Sequence, residues 1–432
     1  MQGFNSNLIP QNGMVLRADT VLEPGIYHLP DGLELAADGM TFDGNGALLV
    51  GQGRQGHGLF TQGRRGVTIK NVRIQEYYHG IQAKDCQGLT ISGCQITSTA
   101  ELPPATVFLD VWLPVERCYG GGILLQQVSH SLVETNDLQH QMNGLLAYHC
   151  HDLTVHRNHA SYCSGWGFLL YDTSDCQYEA NWADFCCRYE PRQARSGHMG
   201  ADAAGFLILY RSCRNKFYRN MARLSGDGFF LAGLTPQFER VGSNDNLFEE
   251  NDASYSPNIA FEATFSRGNI YRNNYANRCN YGFWLGFSST GELHNNLMIG
   301  NRQAGIATEN GYDFLVKNNE FRENGHGILL WSKRVPGFEQ ALPQNDTSYR
   351  WFIQDNLFRG NLKAIRIAAD QDHGINPLPP SGEAGFPAPT PHHHTIQNNR
   401  FESNVQTLDL DGATDTLLTS NIFERNLDER TS

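Results

Sequence analysis

Short apolar runs, each introduced by a glycine, recur along this chain and are separated by polar turn residues. The runs after Gly167, Gly282, Gly305 and Gly327 read Phe-Leu-Leu, Phe-Trp-Leu, Ile-Ala-Thr and Ile-Leu-Leu. Runs this short, bounded by Asn, Gly and Ser, are typical of β-strands and disfavour helices. The apolar pattern therefore predicts an all-β protein built from many short strands.

An Asn recurs between these strands, followed five residues later by another Asn, a Cys or a Ser. The steps from Asn136 to Asn158, from Asn251 to Asn274 and from Asn274 to Asn296 are 22 or 23 residues long. A fixed period in this range identifies a solenoid, and it accommodates three short strands and three turns. We predict a single-stranded right-handed parallel β-helix whose coils stack about 4.8 Å apart, with Asn side chains hydrogen-bonded in ladders.

The length of 432 residues does not require several domains, because a solenoid grows along one axis. We predict one domain over 1–432, with an N-terminal cap and first coils in 1–65 and repeated coils in 66–428. The 44 glycines, the 17 prolines and the charged fraction of only 18% agree with a chain rich in turns.

The formal net charge of −12 disfavours nucleic acid and anionic membranes as partners. The N-terminal residues show no charged segment followed by an apolar core, and no apolar run is long enough to span a membrane. We expect a cytoplasmic protein, or a secreted or periplasmic one if a signal peptide has been removed. Homo-oligomers remain possible.

The ten cysteines are too sparse for a small disulfide scaffold. Cys163, Cys186 and Cys279 occupy the second ladder position, where other coils carry Asn or Ser, so we expect them to be reduced and buried. No Cys-x-x-Cys indicates zinc. We predict no cofactor and no metal site, with Ca²⁺ at Asp370, Asp372 and Asp202 as an open alternative.

Three N-terminal segments carry a family resemblance. They are Leu22-Glu-Pro-Gly-Ile-Tyr-His-Leu, Asp38-Gly-Met-Thr-Phe-Asp-Gly-Asn-Gly-Ala and Gly66-Val-Thr-Ile-Lys-Asn-Val. Together with the Asn ladders they resemble the pectate-lyase-like superfamily of right-handed β-helices, which includes carbohydrate-binding and sugar-hydrolase repeat proteins. The resemblance runs from about residue 15 to 428 and implies the fold. It does not imply one reaction, because the superfamily includes hydrolases, lyases, epimerases, binding repeats and viral adhesins.

The calcium and arginine motifs of pectate lyases and the paired aspartates of polygalacturonases are not recognisable in this chain. No catalytic residue is therefore carried over from the family, and the candidates below come from the repeat pattern itself.

Five segments exceed the length of one coil, and all of them flank the glycine-led strand. Insertions in solenoids collect on one face, which is commonly the binding face. The glycine-led strands should therefore form the floor of a groove walled by the insertions at about 98–118, 187–202, 233–243, 333–348 and 370–394.

Alternate residues of those strands should face this groove. Aromatic rings in such positions suit a sugar chain, because they stack on the CH surfaces of pyranose rings. The alternative is that some of them only pack beneath the wall loops. The aromatic candidates for substrate binding are Tyr148, Tyr171, Phe230, Trp284 and Trp331.

Aligning each strand on its glycine places Glu262 and Glu309 in one outward column, two coils apart, with Gly286 between them. Their backbones should then lie about 9–10 Å apart, near the spacing of about 6.5–9.5 Å that inverting glycoside hydrolysis needs between two carboxyl groups. The alternative is that both glutamates are solvated or only bind sugar hydroxyls.

Two aspartates are further catalytic candidates. Asp227 lies one coil before Glu262, and a spacing near 5 Å would fit the nucleophile and acid of a retaining enzyme. Its Gly-Asp-Gly context is also ordinary turn chemistry. Asp202, in the preceding insertion, is expected to assist.

Cationic candidates lie in the wall loops. Arg188, Arg192, Arg195 and His198 could bind a carboxylate or phosphate of a substrate, or could instead pin their loop through ion pairs. Other candidates for substrate binding or for proton abstraction from a uronate are Lys333, Arg334 and His373.

The first hypothesis is a glycoside hydrolase that cleaves an oligo- or polysaccharide with Glu262, Glu309, Asp227 and Asp202. The second is a polysaccharide lyase or epimerase that acts on uronic-acid-containing glycans through His198, Lys333 or His373. The third is a non-catalytic carbohydrate-binding β-helix.

Overall fold

The described part of the chain covers almost all of the predicted coils. In this computed structural model the described residues are 7–103, 106, 108–188, 200, 202–334, 336–368, 390–410 and 413–428.

Sheet A contains fifteen strands that pair in parallel, each with the equivalent strand of the next coil. Many of them begin with or follow the glycines of the sequence pattern. They are Met14–Leu16, Leu33–Leu35, His57–Gln62, His79–Lys84, Gly121–Gln126, Leu145–Tyr148, Trp166–Tyr171, Ala204–Leu209, Asp227–Ala232, Ile259–Thr264, Tyr281–Trp284, Ala304–Glu309, His326–Trp331, Lys363–Ala368 and Gln406–Asp409.

Sheet B also contains fifteen parallel strands and forms the second side of the solenoid. Its strands are mostly three residues long, with one buried residue between two partly exposed ones. They are Thr20–Val21, Thr41–Asp43, Thr68–Lys70, Thr90–Ser92, Ser129–Glu134, His151–His156, Gln177–Glu179, Lys216–Tyr218, Leu247–Glu249, Ile270–Arg272, Glu292–His294, Leu315–Lys317, Phe352–Gln354, Thr395–Gln397 and Leu417–Thr419.

The third side is divided into two short parallel sheets. Between them, the coils are joined on this side by isolated bridges such as His159 to Trp182. The strands are Ile26–His28, Leu48–Val50, Arg73–Gln75 and Gln95–Thr97 in sheet C, and Leu297–Ile299, Glu320–Arg322, Leu357–Arg359, Arg400–Glu402 and Ile422–Glu424 in sheet D.

Helical structure is minor among the described residues. A single turn of 3-10 helix spans Val115–Arg117, and the α-helix α1 spans Pro336–Ala341. No helix in the described ranges combines the length and apolar character that crossing a membrane requires. The predicted all-β parallel β-helix is confirmed.

Asparagine ladders hold the coils in register, as the repeat predicts. The side chain of Asn136 donates to Asn158 Oδ1 at 2.9 Å, and that of Asn158 donates to Asn181 Oδ1 at 3.1 Å. The second ladder continues in the same way from Asn301 to Asn324 at 2.9 Å. These amides are buried, and each also donates to a backbone carbonyl, so the ladder leaves few polar groups unsatisfied.

Stacked aromatic side chains fill the interior beside these ladders. The rings of Phe206 and Phe229 lie 4.7 Å apart and are 8° from parallel, and Phe229 stacks on Phe261 at 5.0 Å. Rings repeated on successive coils meet in the offset geometry that aromatic pairs prefer. The inward residues of sheet A are therefore the core.

The cysteine prediction is confirmed. All ten cysteines are free thiols, and Cys163, Cys186 and Cys279 are buried. They replace the ladder amides, since the Cys186 N–H donates to Ser225 Oγ at 3.1 Å and the Cys279 N–H donates to Asn301 Oδ1 at 2.9 Å.

Candidate active site

The first part of the outer face of sheet A is covered by the insertion at about 98–118. Leu109, Val111 and Val115 join the outward residues of the sheet in one apolar cluster. Tyr148 is 1% exposed and its hydroxyl donates to the carbonyl of Leu113 at 3.3 Å. Because Tyr148 and Tyr171 both belong to this cluster, the prediction that they line an open groove is wrong. They pack beneath a wall loop, as the alternative had it.

Arg188 fixes that insertion in place. Its guanidinium donates to the carbonyls of Thr106 at 2.8 Å and Pro103 at 2.7 Å, and also to those of Leu102 and Ser164. The side chain is buried. The expectation that Arg188 binds an anionic substrate is therefore wrong, because backbone carbonyls occupy its donors.

The strand register separates the two predicted catalytic glutamates. Glu262 pairs with Phe230 on one side and Trp284 on the other, whereas Glu309 pairs with Trp331. Trp284 in turn pairs with Ala307, two residues before Glu309. Glu262 and Glu309 share the outward face of sheet A but not a column, so the predicted pair is wrong.

The cause of this error is one substitution in the repeat. Ala260 occupies the position that Gly228 and Gly282 hold in the neighbouring coils, because Phe261 pairs with both Phe229 and Phe283. Because this strand lacks the glycine, the repeat pattern assigns Glu262 to a position two residues away from its true one. A shift of two preserves the alternation of a strand, so the predicted face is correct and the predicted column is not.

Glu309 and its neighbours form a buried, charge-paired part of the same face. The carboxylate of Glu309 lies 3.7 Å from Lys333 Nζ. Trp331 is 1% exposed, so it is not available to a sugar, and its prediction as a groove residue is wrong. Arg334 is exposed beside this pair, where its predicted role is not tested.

Asp202, Asp227 and Glu262 form a carboxylate cluster on the middle strands of sheet A, with Asp227 at the start of its strand and Glu262 within the next one. Asp227 begins its strand, and its backbone N–H donates to the carbonyl of Ala203 at 3.0 Å. Gly200 and Gly226 approach so closely that a Cβ on Gly200 would lie 2.6 Å from the Cα of Gly226. This close approach brings the chain that carries Asp202 against the strand that carries Asp227.

The backbone around Asp202 is held by an indole. Trp166 Nε1 donates to the carbonyl of Asp202 at 2.8 Å, and Asp202 has a left-handed φ of 59°. A left-handed conformation is more common for Asp than for most residues and reorients the side chain relative to a continuous strand. The insertion that ends here therefore delivers a carboxylate to the sheet.

Asp227 is 1% exposed, and one of its oxygens is held by the next coil. Asp227 Oδ1 accepts from the N–H of Ile259 at 3.0 Å and from Asn258 Nδ2 at 2.8 Å. Asn143 occupies an equivalent strand-entry position three coils earlier, where its Oδ1 accepts from the N–H of Trp166 at 2.8 Å. A neutral amide therefore suffices as the acceptor of this backbone hydrogen bond, so the bond does not require an acid at position 227.

All three carboxyl groups have raised pKa values. Burial raises the pKa of Asp202 to about 6. Burial, followed by the nearby charge of Asp202, raises the pKa of Asp227 to about 8, although the two donors oppose this shift. Burial and then the charges of Asp227 and Asp202 hold the pKa of Glu262 well above its usual value. None of the three forms an ion pair with a cationic side chain in the described part of the chain.

Glu262 is partly exposed, unlike Asp227. It is half-buried between Phe230 and Trp284 of the neighbouring coils, and it forms no hydrogen bond with another described side chain. The ring of Tyr281 meets Trp284 edge-on at 4.9 Å. Trp284 is a partly exposed indole, and the carboxyl group next to it has no hydrogen-bond partner among the described side chains. Such a surface suits a sugar ring.

Several candidates cannot be placed. Arg192, Arg195, His198 and His373 lie outside the described residues, as do Asp370 and Asp372, so their proposed roles and the Ca²⁺ alternative stay predictions. The repeat pattern did not identify Asn258, Trp166 or the contact between Gly200 and Gly226 as parts of the site. The only signal was the glycine at each of the two contact positions, close to an aspartate.

Comparison with known proteins agrees with the topology. A family model described as the right handed beta helix region matches residues 25–222 and 238–339. Curated protein sequences give no match.

Solved structures with a similar course of the chain include three carbohydrate-modifying enzymes. The periplasmic alginate epimerase AlgG is 12% identical, with a TM-score of 0.44 over 93% of this chain and 78% of that one. The GH136 lacto-N-biosidase from Eubacterium ramulus is 13% identical, with a TM-score of 0.48 over 79% of this chain and 62% of that one. The A-module of the Azotobacter vinelandii mannuronan C-5 epimerase AlgE6 is 10% identical, with a TM-score of 0.39 over 94% of this chain and 91% of that one. At these identities the likeness says nothing about the reaction.

Proposed function

Because the chain belongs to the family of right-handed β-helix proteins, a fold that hosts several reactions, its function has to be argued from the site, and we propose that it is a glycoside hydrolase. The observation that carries this proposal is the cluster of Asp202, Asp227 and Glu262 on the outer face of sheet A. Glycoside hydrolysis needs two carboxyl groups in opposite protonation states, which neighbouring acids with separated pKa values provide.

Glu262 is the general acid in this proposal. Burial, followed by the charges of Asp227 and Asp202, raises the pKa of its carboxyl group well above the usual value, which favours the protonated form that donates to the leaving glycosidic oxygen. Its side chain is half-buried and makes no competing hydrogen bond with a described residue. The proton is therefore both retained and accessible.

Asp202 is the carboxylate that acts on the anomeric carbon, either directly as a nucleophile or by activating water. Its pKa of about 6 favours the ionised form at neutral pH, while the pKa of Asp227 is higher, at about 8. Asp227 is a positioning residue. It lies on the strand beside that of Glu262, and its carboxyl group is fixed by Ile259 and Asn258.

Trp284 provides the surface on which a sugar ring rests, whereas Phe230 is 8% exposed and belongs to the covered apolar cluster, so its prediction as a groove residue is wrong. Trp284 flanks Glu262 on the next coil, so a ring that stacks on it places its glycosidic oxygen near the acid. Of the bases proposed for a lyase or epimerase, Lys333 is paired with Glu309, whereas His198 and His373 lie outside the described residues and stay predictions.

The test is a screen of neutral and uronic-acid oligosaccharides for new reducing ends and for unsaturated products. We expect new reducing ends without unsaturation, and loss of this activity in Glu262→Gln and in Asp202→Asn. Glu309→Gln is the matched control, because it replaces an outward glutamate of the same sheet. Unsaturated products, or wild-type activity in Glu262→Gln, would contradict the proposal.

A further inference from the structure

Two histidines and an aspartate come together at a corner of sheet B, away from the carboxylate cluster. His130 and Asp152 occupy equivalent positions on neighbouring coils, with left-handed φ values of 51° and 52°. His151 precedes Asp152, and its ring meets that of His130 edge-on at 5.4 Å. One ligand atom from each of the three residues lies within 4.8 Å of the other two.

The same corner is built differently on other coils. Asp175 is bound by two guanidinium nitrogens of Arg214, both at 2.7 Å, and Asp313 is bound by Arg350 at 2.5 and 2.6 Å. There an arginine neutralises each carboxylate. Asp152 instead faces His130, with its Oδ2 3.2 Å from His130 Nδ1. An imidazole, unlike a guanidinium, is a ligand for transition metals, so this corner joins a carboxylate to a metal-binding group.

The chemistry of these three groups suits a transition-metal ion. We propose that His130, His151 and Asp152 bind a divalent transition-metal ion of the Zn²⁺ type. Two imidazoles and a carboxylate are a common ligand set for zinc, with bonds of about 2.0–2.2 Å. All three side chains are exposed, so rotation about their side-chain bonds brings the ligand atoms together without moving the coils.

The surroundings leave room for a further ligand. A recess of about 430 Å³ borders His130 and His151 and is lined by Gln127, Ser129 and Asp85. Water can therefore complete the coordination, as in zinc sites that have three protein ligands. Because the ligands come from two coils, the ion would link the strands Ser129–Glu134 and His151–His156 at their starts.

Titration of the whole protein with Zn²⁺ tests this site. We expect one tightly bound equivalent, a rise in melting temperature with added Zn²⁺, and at least about a tenfold loss of affinity in each of His130→Ala, His151→Ala and Asp152→Asn. Ca²⁺ should not compete, because it prefers oxygen ligands. These exposed substitutions should leave the circular dichroism spectrum unchanged.

Two controls separate this site from other histidines. His149 lies 2.8 Å from Asp172 as a His–Asp pair, and His149→Ala should retain the bound equivalent. His392 and His393 bring their Nδ1 atoms within 2.7 Å, and the double variant His392→Ala/His393→Ala should retain it as well. Absence of zinc binding by the wild type, or unchanged binding in His130→Ala and His151→Ala, would overturn the proposal.

Discussion

Two parts of the outer face of sheet A differ in what covers them. Over the strands Gly121–Gln126 to Trp166–Tyr171, an insertion buries outward aromatic residues and closes the face. Over Asp227–Ala232 and Ile259–Thr264, the outward positions carry acids and leave Glu262 partly exposed. The same alternation of the strands thus produces a packed interface in one place and a candidate active site in the other, depending on the loop above it.

Two outward glutamates sharpen this comparison. Glu309 lies 3.7 Å from a lysine, whereas Glu262 lies among other acids and has no cationic partner in the described ranges. A nearby cation favours the ionised form of a carboxyl group, while burial beside other acids favours the protonated form. Glu262, whose pKa is raised, is therefore suited to donate a proton, whereas Glu309 is held in an ion pair.

The largest expected effect separates these two glutamates by activity. On a substrate identified by the screen, Glu262→Gln and Asp202→Asn should each lower kcat by at least about 10³-fold, because each removes a proton donor or the attacking carboxylate. Glu309→Gln should lower it by less than about tenfold. Equal losses of kcat in Glu262→Gln and Glu309→Gln would contradict the assignment of the general acid to Glu262.

The covered part of the face depends on Arg188. Arg188→Met leaves buried carbonyls without donors and should lower the free energy of unfolding by about 2–3 kcal/mol. Hydrogen exchange should accelerate in 108–118. Arg211→Met is the control, because the Arg211–Glu239 ion pair is exposed and should contribute less than about 1 kcal/mol. Equal destabilisation by both substitutions would argue against the pinning role.

The carboxylate cluster should weaken the fold as the pH rises. The pKa of Asp227 is about 8 in the folded protein and near 4 when unfolded, so the folded state binds more protons between these values. Raising the pH through this window then lowers the free energy of unfolding by up to about 1.4 kcal/mol per pH unit.

Asp227→Asn keeps an acceptor for the Ile259 N–H, as Asn143 does for Trp166, and removes the titrating group. In urea unfolding at about pH 5 and about pH 8, the variant should lose less stability than the wild type over this interval. Parallel pH profiles of the two proteins would show that Asp227 has an ordinary pKa.

The smallest effect concerns the paired glutamate. Lys333→Met should lower the free energy of unfolding by about 1 kcal/mol, because it removes the cation from a mostly buried carboxylate. In a double-mutant cycle with Glu309→Gln, the two losses should not add. Strict additivity would mean that the ion pair contributes nothing.

The fold could be predicted because the repeat acts through local chemistry. Asn136 and Asn158 bond across one coil, and the same bond joins Asn181 to Asn220 across an insertion, so the recurring Asn marks the same corner of each coil and predicts the solenoid. The register failed where Ala260 replaced a glycine, since that position was the only marker for the strand. The prediction that Glu262 lies on the outward face is still correct, because side chains alternate with a period of two.

The site could be predicted only in part, because it depends on insertions that follow no period. Tyr148 and Trp331 have the alternation of groove residues, yet their exposure is decided by what packs above them. Asp202 reaches the sheet through the contact of Gly200 with Gly226, which pairs residues 26 positions apart across an insertion. Neither relation is visible in the spacing of apolar residues.

The central claim is that Glu262, unlike the ion-paired Glu309, is the proton donor of the site. Infrared difference spectra of the wild type against Glu262→Gln and against Glu309→Gln measure this directly through the carbonyl stretch of a protonated carboxyl group. We predict that one component of this band at neutral pH is lost in Glu262→Gln, while the component from Asp227 remains, and that Glu309→Gln keeps the Glu262 component. A Glu262 that contributes only carboxylate bands at neutral pH would contradict the proposed acid.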